Sequence, residues 1–165
     1  MKRRLTNVTL TIMTIMALIS AVFAAPLPAR SDGATKITGI GTYIGSGACT
    51  DLPADYTYVM TGDLAGCVYA SVESGRCTQG GAYFETGTET FVGVYNGQPG
   101  TFRTNYVFTA TYRDCPNFVG EIAGRCQHPI AAGSGTGVFE GVRGRYDMLD
   151  DVETGNFPFR GHLQF

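Results

Sequence analysis

The stretch Gly133-Ser134-Gly135-Thr136-Gly137-Val138-Phe139-Glu140-Gly141-Val142-Arg143-Gly144-Arg145-Tyr146 places five glycines within twelve residues, with Val138, Phe139, Val142 and Tyr146 set among them. Glycine inside a strand pattern marks a bulge, a sharp bend or a close approach of two backbones. A sheet that closes on itself needs such corners, because closure requires strongly coiled strands. The stretch therefore reads as a corner of a small β-barrel, and the rest of the chain should supply the strands.

Working outward from that corner, apolar residues rarely recur at helical spacing after Thr35, and glycine interrupts every candidate helix. Segments of strand character cover 35–44, 56–66, 67–73, 82–95, 101–113, 119–127, 138–149 and 156–165. Turn-forming residues separate them: Leu52-Pro53-Ala54-Asp55, Glu73-Ser74-Gly75, Asn96-Gly97-Gln98-Pro99-Gly100 and Asp114-Cys115-Pro116-Asn117. Asn-Gly between alternating strands is a strong hairpin signal. Short strands at this spacing predict an all-β domain over 35–165, a single antiparallel eight-stranded barrel, with a sandwich as the alternative.

Two segments show which way the side chains point. Over 104–113, Tyr106, Phe108, Ala110 and Tyr112 share one face, and Asn105, Val107, Thr109, Thr111 and Arg113 the other. Over 156–165, Phe157, Phe159 and Leu163 oppose Asn156, Arg160, His162 and Gln164. A period of two belongs to a strand with one face buried, so the aromatic sets should point inward.

The amino terminus has a different character. Met1-Lys2-Arg3-Arg4 is followed by a mostly apolar run from Leu10 to Phe23 that ends in Val22-Phe23-Ala24, with cleavage expected after Ala24. This is the pattern of a secretory signal peptide, here residues 1–24, and the run is short for a membrane span of about 20 residues. Residues 25–34 read as a Pro-rich, flexible lead-in. The expected location is secreted or periplasmic, with no stable membrane anchor after cleavage. Losing Lys2, Arg3 and Arg4 leaves nine cations against 14 acidic residues, a net charge near −5. Nucleic acid, which selects a dense basic surface, is excluded as a partner.

The chain has five cysteines, Cys49, Cys67, Cys77, Cys115 and Cys126. In an exported protein these are disulfide candidates, and the odd number leaves at least one thiol unpaired. Pairing Cys67 with Cys77 and Cys115 with Cys126 would close two hairpin-sized loops. Cys49 with Cys67 is the main rival.

The run Gly87-Thr88-Glu89-Thr90-Phe91-Val92-Gly93-Val94-Tyr95-Asn96-Gly97, then Gly100-Thr101-Phe102, then the Gly133–Gly144 corner, resembles bacterial proteins of the allene oxide cyclase-like barrel group. The resemblance spans roughly residues 60–165 and includes an uncharacterised secreted family of that type. It implies a calycin-like barrel, related in shape to lipocalins, with an apolar cavity. Members of the wider group cyclise reactive intermediates without a cofactor. Of the residues here, only Glu89 lies in a motif that aligns with the bacterial family.

The segment 82–95 is the main candidate for chemistry. If it is regular, Tyr83, Glu85, Glu89, Phe91 and Tyr95 share a face, and two carboxylates stand among aromatics. A carboxylate in an apolar cavity can serve as a general acid or base. In the alternative, Phe84, Val92 and Val94 point inward and both glutamates meet solvent, or a bulge at Gly87 or Gly93 flips half the strand. An inward Glu89 needs a partner, for which Arg103 or a tyrosine hydroxyl would serve. Cys126 and His128 share a face, but with only two histidines in the chain a zinc site with His162 lacks ligands. The glycine corner lacks the Gly-Lys-Ser/Thr of a phosphate loop. The acidic group Asp147, Asp150, Asp151 and Glu153 lacks calcium-loop spacing and reads as a solvated turn. Neither metal nor cofactor is expected.

Three functions follow from these expectations. The first is a binding module for a small apolar ligand, with Tyr83, Glu85, Phe91, Tyr95, Tyr106, Phe108 and Tyr112 around it. The second is a cofactor-free cyclase or isomerase with Glu89 as acid/base. The third is a structural or interaction protein whose barrel is filled, since eight strands are narrow enough for side chains to fill the interior.

Overall fold

A computed structural model describes residues 33–44 and 48–165; the signal segment 1–24 and most of the lead-in lie outside the described residues. The alternating segments become β1 (Thr35–Tyr43), β2 (Tyr56–Gly62), β3 (Leu64–Cys77), β4 (Ala82–Tyr95), β5 (Gln98–Asp114), β6 (Val119–Pro129), β7 (Thr136–Gly137), β8 (Arg143–Leu149) and β9 (Asn156–Gln164). Apart from the two-residue β7, each strand pairs antiparallel with its neighbour in the chain. β9 returns to pair with β1, so the sheet closes as an eight-stranded antiparallel barrel. Closure leaves no long edge strand with unpaired backbone groups among the described residues.

The turns account for the shifts from the expected boundaries. Asn96 and Gly97 have φ of 50° and 74°, and Tyr95 pairs with Gln98. This is a two-residue hairpin with both central residues at positive φ, which matches the strand twist, so β5 begins earlier than expected. The β2–β3 turn falls at Gly62-Asp63 rather than at 66–67, with the Asp63 N–H donating to the Thr38 carbonyl at 3.0 Å. Glu73-Ser74-Gly75 is no turn: β3 continues through it with a register shift between Val72 and Ser74. A bulge absorbs the extra residue and bends the strand without ending it.

The glycine corner closes one end of the barrel. The N–H groups of Ala131 and Val138 donate to the carbonyls of Arg103 and Pro99, which lays this connection against β5. Residues 138–142 turn instead of extending, so β8 starts only at Arg143. That turn inserts Phe139 and Val142, 0% and 1% exposed, into the barrel end. A Cβ on Gly135 would collide with the Phe139 carbonyl. Gly144, at φ +128°, runs so close to β9 that a side chain would strike the His162 carbonyl.

Behind Phe139 this half of the barrel is solid. Phe91 and Phe102 stack at 4.9 Å, and Phe139 meets them edge-on at 5.7 and 4.9 Å. Tyr95 stacks on Phe165 at 5.8 Å, and Met60, Leu64 and Leu163 complete the plug. As expected, Tyr106, Phe108, Ala110 and Tyr112 point inward, as do Phe157, Phe159 and Leu163, while Arg160 and His162 are exposed on the outside.

The disulfides correct the expected pairing. Cys49 bonds Cys67, Cys77 bonds Cys115, and Cys126 is a buried free thiol. Cys67 and Cys77 lie on one strand, so ten residues of extended chain hold them about 33 Å apart, far beyond disulfide reach. Cys126 pairs in register with Phe108 on β5, about 23 Å of strand from Cys115, and faces the lumen. Two disulfides are consistent with an extracellular or periplasmic location.

Candidate functional site: a carboxylate-lined cavity

The other half of the barrel is hollow. A cavity of about 300 Å³ is lined by aromatic side chains including Tyr43, Tyr56, Tyr58, Phe108, Phe118 and Phe157, together with Met148. Its polar wall consists of Glu85, Glu89, Glu121, Asp150, His128 and Cys126. The boundary between the halves can be followed along β4, whose inward positions change from Tyr83, Glu85 and Glu89 at the open end to Phe91 and Tyr95 in the plug. β4 is regular through Gly87 and Gly93, in register with β5 from Ala82 to Tyr95. Both glutamates therefore point into the barrel. At Gly87 the absent side chain leaves room for the Tyr106 ring, 2.6 Å from where a Cβ would stand.

Glu89 is 2% exposed and fully partnered. Its Oε1 accepts from the Tyr58 hydroxyl at 3.1 Å; its Oε2 accepts from the Thr104 hydroxyl at 3.1 Å and lies 3.3 Å from His128 Nε2. The partner is thus a tyrosine hydroxyl with a threonine and a histidine; Arg103 is on the outer face. His128 stacks on Tyr146 at 4.4 Å, which fixes the imidazole plane, and its Nδ1 has no hydrogen-bond partner. Two pleat repeats away along β4, Glu85 accepts from Tyr83 at 2.6 Å, Tyr106 at 2.8 Å and Tyr56 at 3.4 Å.

These carboxylates set the electrostatics of the lumen. Burial, then the negative charge of Glu89, pushes the Tyr58 and Tyr146 hydroxyls well above the ordinary tyrosine range. Burial and Glu89 act in the same way on Tyr56 and on the Cys126 thiol. Cys126 is therefore held as a thiol and not as the thiolate a nucleophile requires.

A second acidic pair stands nearer the opening, on β6 and just after β8. Asp150 is not the solvated turn residue its sequence context suggested: burial first, then hydrogen bonding to and repulsion by Glu121, push it up to about 7. Gly124 makes room for the pair, since a side chain there would meet both carboxyl groups. Tyr112, raised by burial and by these two acids, faces them from β5. Asp150 thus keeps its proton in the folded protein up to about pH 7, against an ordinary value of 3.8. Its contribution to stability is complete below 3.8 and declines as the pH rises to about 7. Asp147 and Asp151, both lowered on folding, act only in the acid range. Thermal unfolding is expected at a higher temperature at pH 5 than at pH 8, and Asp150→Asn should flatten that difference. An unchanged pH profile in the variant would remove Asp150 as its source.

Of the residues expected around a ligand, Tyr83, Glu85, Phe108 and Tyr112 line the cavity along with Glu89. Tyr106 is behind the wall as a donor to Glu85, and Phe91 and Tyr95 belong to the plug. Tyr56, Tyr58, Thr104 and Glu121 were not anticipated, and Asp150, read as part of a solvated turn, lines the cavity instead. The signal for Thr104 was available, since it shares the parity of Tyr106 and Phe108 on β5. Among the described residues no group of three or more His, Cys, Asp or Glu side chains is arranged to hold a metal ion. No known protein-family model matches the chain, and no curated protein matches it either.

Proposed function

We propose that this is an exported carrier of the allene oxide cyclase-like barrel type that holds a small, largely apolar molecule in its open half. One observation carries the reading: half of the barrel is plugged with aromatics, whereas the other half encloses about 300 Å³ behind aromatic walls with a few convergent polar groups. That volume is at the lower end of the roughly 300–1,000 Å³ of small-molecule sites. A filled structural barrel would have no reason to bury Glu89 beside empty space, since a buried carboxylate is costly to desolvate.

Native mass spectrometry of the protein purified from its own secreted fraction tests the reading. The expected result is a stoichiometric adduct of a few hundred daltons that is lost on denaturation. Protein that stays free of adduct, and takes up none from a lipid extract of the same culture, would overturn it.

The Glu89–His128 contact favours a second reading, a cofactor-free cyclase or isomerase in the same cavity. A carboxylate beside an imidazole can pass a proton to and from a bound substrate. Glu89→Gln separates the two, because turnover would be abolished in the enzyme while a carrier would keep its cargo with altered affinity.

A further inference from the structure

We infer that the cargo is a lipophilic cation, a protonated amine carried on a small apolar body. The inference rests on the binding reading above and specifies its ligand. Four acidic side chains, Glu85, Glu89, Glu121 and Asp150, line the cavity, and neither Lys nor Arg is among its lining residues. The hydrogen-bond directions make the same point independently of charge. The hydroxyls of Tyr56, Tyr83 and Tyr106 donate to Glu85, and those of Tyr58 and Thr104 donate to Glu89. With these donors engaged, the lining hydroxyls of Tyr56, Tyr58 and Tyr83 have only oxygen lone pairs left.

His128, 1% exposed and part of the cavity wall, turns its Nε2 to Glu89 and has Nδ1 without a partner. Such a wall is rich in acceptors and poor in donors. An ammonium group, with three donors and no acceptor, is its chemical complement. A carboxylate or phosphate would meet mostly carboxylate oxygens and hydroxyl lone pairs, with the protonated Asp150 as the donor nearest the opening. The aromatic rings of Phe108 and Phe157 can also attract a cation through their quadrupoles.

The experiment is calorimetric titration of the intact protein with three probes of similar size: 2-phenylethylammonium, 2-phenylethanol and 3-phenylpropanoate. The ammonium probe should bind about tenfold or more tighter than the alcohol, and the carboxylate should give no heat of binding. Glu89→Gln and, separately, Glu85→Gln should each lower the affinity for the ammonium probe about tenfold while changing that for the alcohol little. The two variants alter different hydrogen-bond sets, so if one fails to fold the other still gives the answer. Equal affinity for amine and alcohol, or preference for the carboxylate, would overturn the cationic assignment and leave the binding cavity standing. No binding by any of the three, together with no uptake of a neutral apolar dye, would overturn the cavity reading itself, and the cation assignment with it.

Discussion

Phe102→Ala should lower the free energy of unfolding by about 3–5 kcal/mol, the range for removing a large aromatic from a core. The residue is 0% exposed and sits at the centre of the plug, stacked on Phe91, met edge-on by Phe139 and 6.5 Å from Tyr146. Deleting the ring opens a void that its neighbours can fill only partly. Phe91 and Phe139 come from different parts of the fold, one from β4 and the other from the glycine corner, and neither backbone is free to move inward. Urea titration with an unchanged m-value would show the loss as a shift in midpoint. The melting temperature should fall by roughly 10–20 °C. A loss below about 1 kcal/mol would mean that the corner collapses onto the void and that the plug is softer than its packing implies.

The second large effect concerns Cys77–Cys115, which closes a loop spanning 38 residues. Replacing both cysteines with alanine should cost about 4 kcal/mol by the chain-entropy estimate, against about 3 for the shorter Cys49–Cys67 loop. The bond ties the end of β3 to the turn after β5, next to Tyr83 and Ala110 at the open end of the barrel. Its loss should therefore loosen the cavity as well as lower the stability, and a probe bound there should weaken with it. Differential scanning calorimetry of the double variant and thiol counting on the parent check the two halves of the claim. The unreduced, denatured parent should release one thiol, that of Cys126; five would refute both bonds.

The barrel was legible because its determinants are local. Tyr106, Phe108, Ala110 and Tyr112 alternate against polar neighbours, Asn96-Gly97 names its own hairpin, and the glycine corner forces a bend. The exceptions are places where sequence neighbours and spatial neighbours part. Glu73-Ser74-Gly75 has turn composition, yet β4 pairs with it on the far side and keeps the strand going. Cys67 and Cys77 look like the two ends of a hairpin until the strand between them is known to be unbroken.

The site was half legible for the same reason. The parity of β4 put Glu85 and Glu89 on one face, but a sequence does not reveal whether that face looks inward. Thr104 faces Glu89 across the β4–β5 hairpin, but only the curvature of the barrel brings Tyr58 from β2 and His128 from β6 to the same carboxylate. Asp150 was read as part of a solvated turn because the room for its carboxyl is made by Gly124, a residue with no side chain to attract attention.

Among the described residues one end of the barrel is plugged and the other is open, so arrival and departure of any cargo share one portal. Tyr43 and Phe118, 59% and 56% exposed, stand at that portal, and Phe118 holds the unusual backbone angle of φ 54°. A rim side chain that leaves the seated cargo untouched raises or lowers the same barrier in both directions. Changes at the rim then reset residence time and loading time by one common factor and leave the dissociation constant where it was. In the proposed carrier, how long a molecule stays and how tightly it is held are thus governed by different residues of this chain.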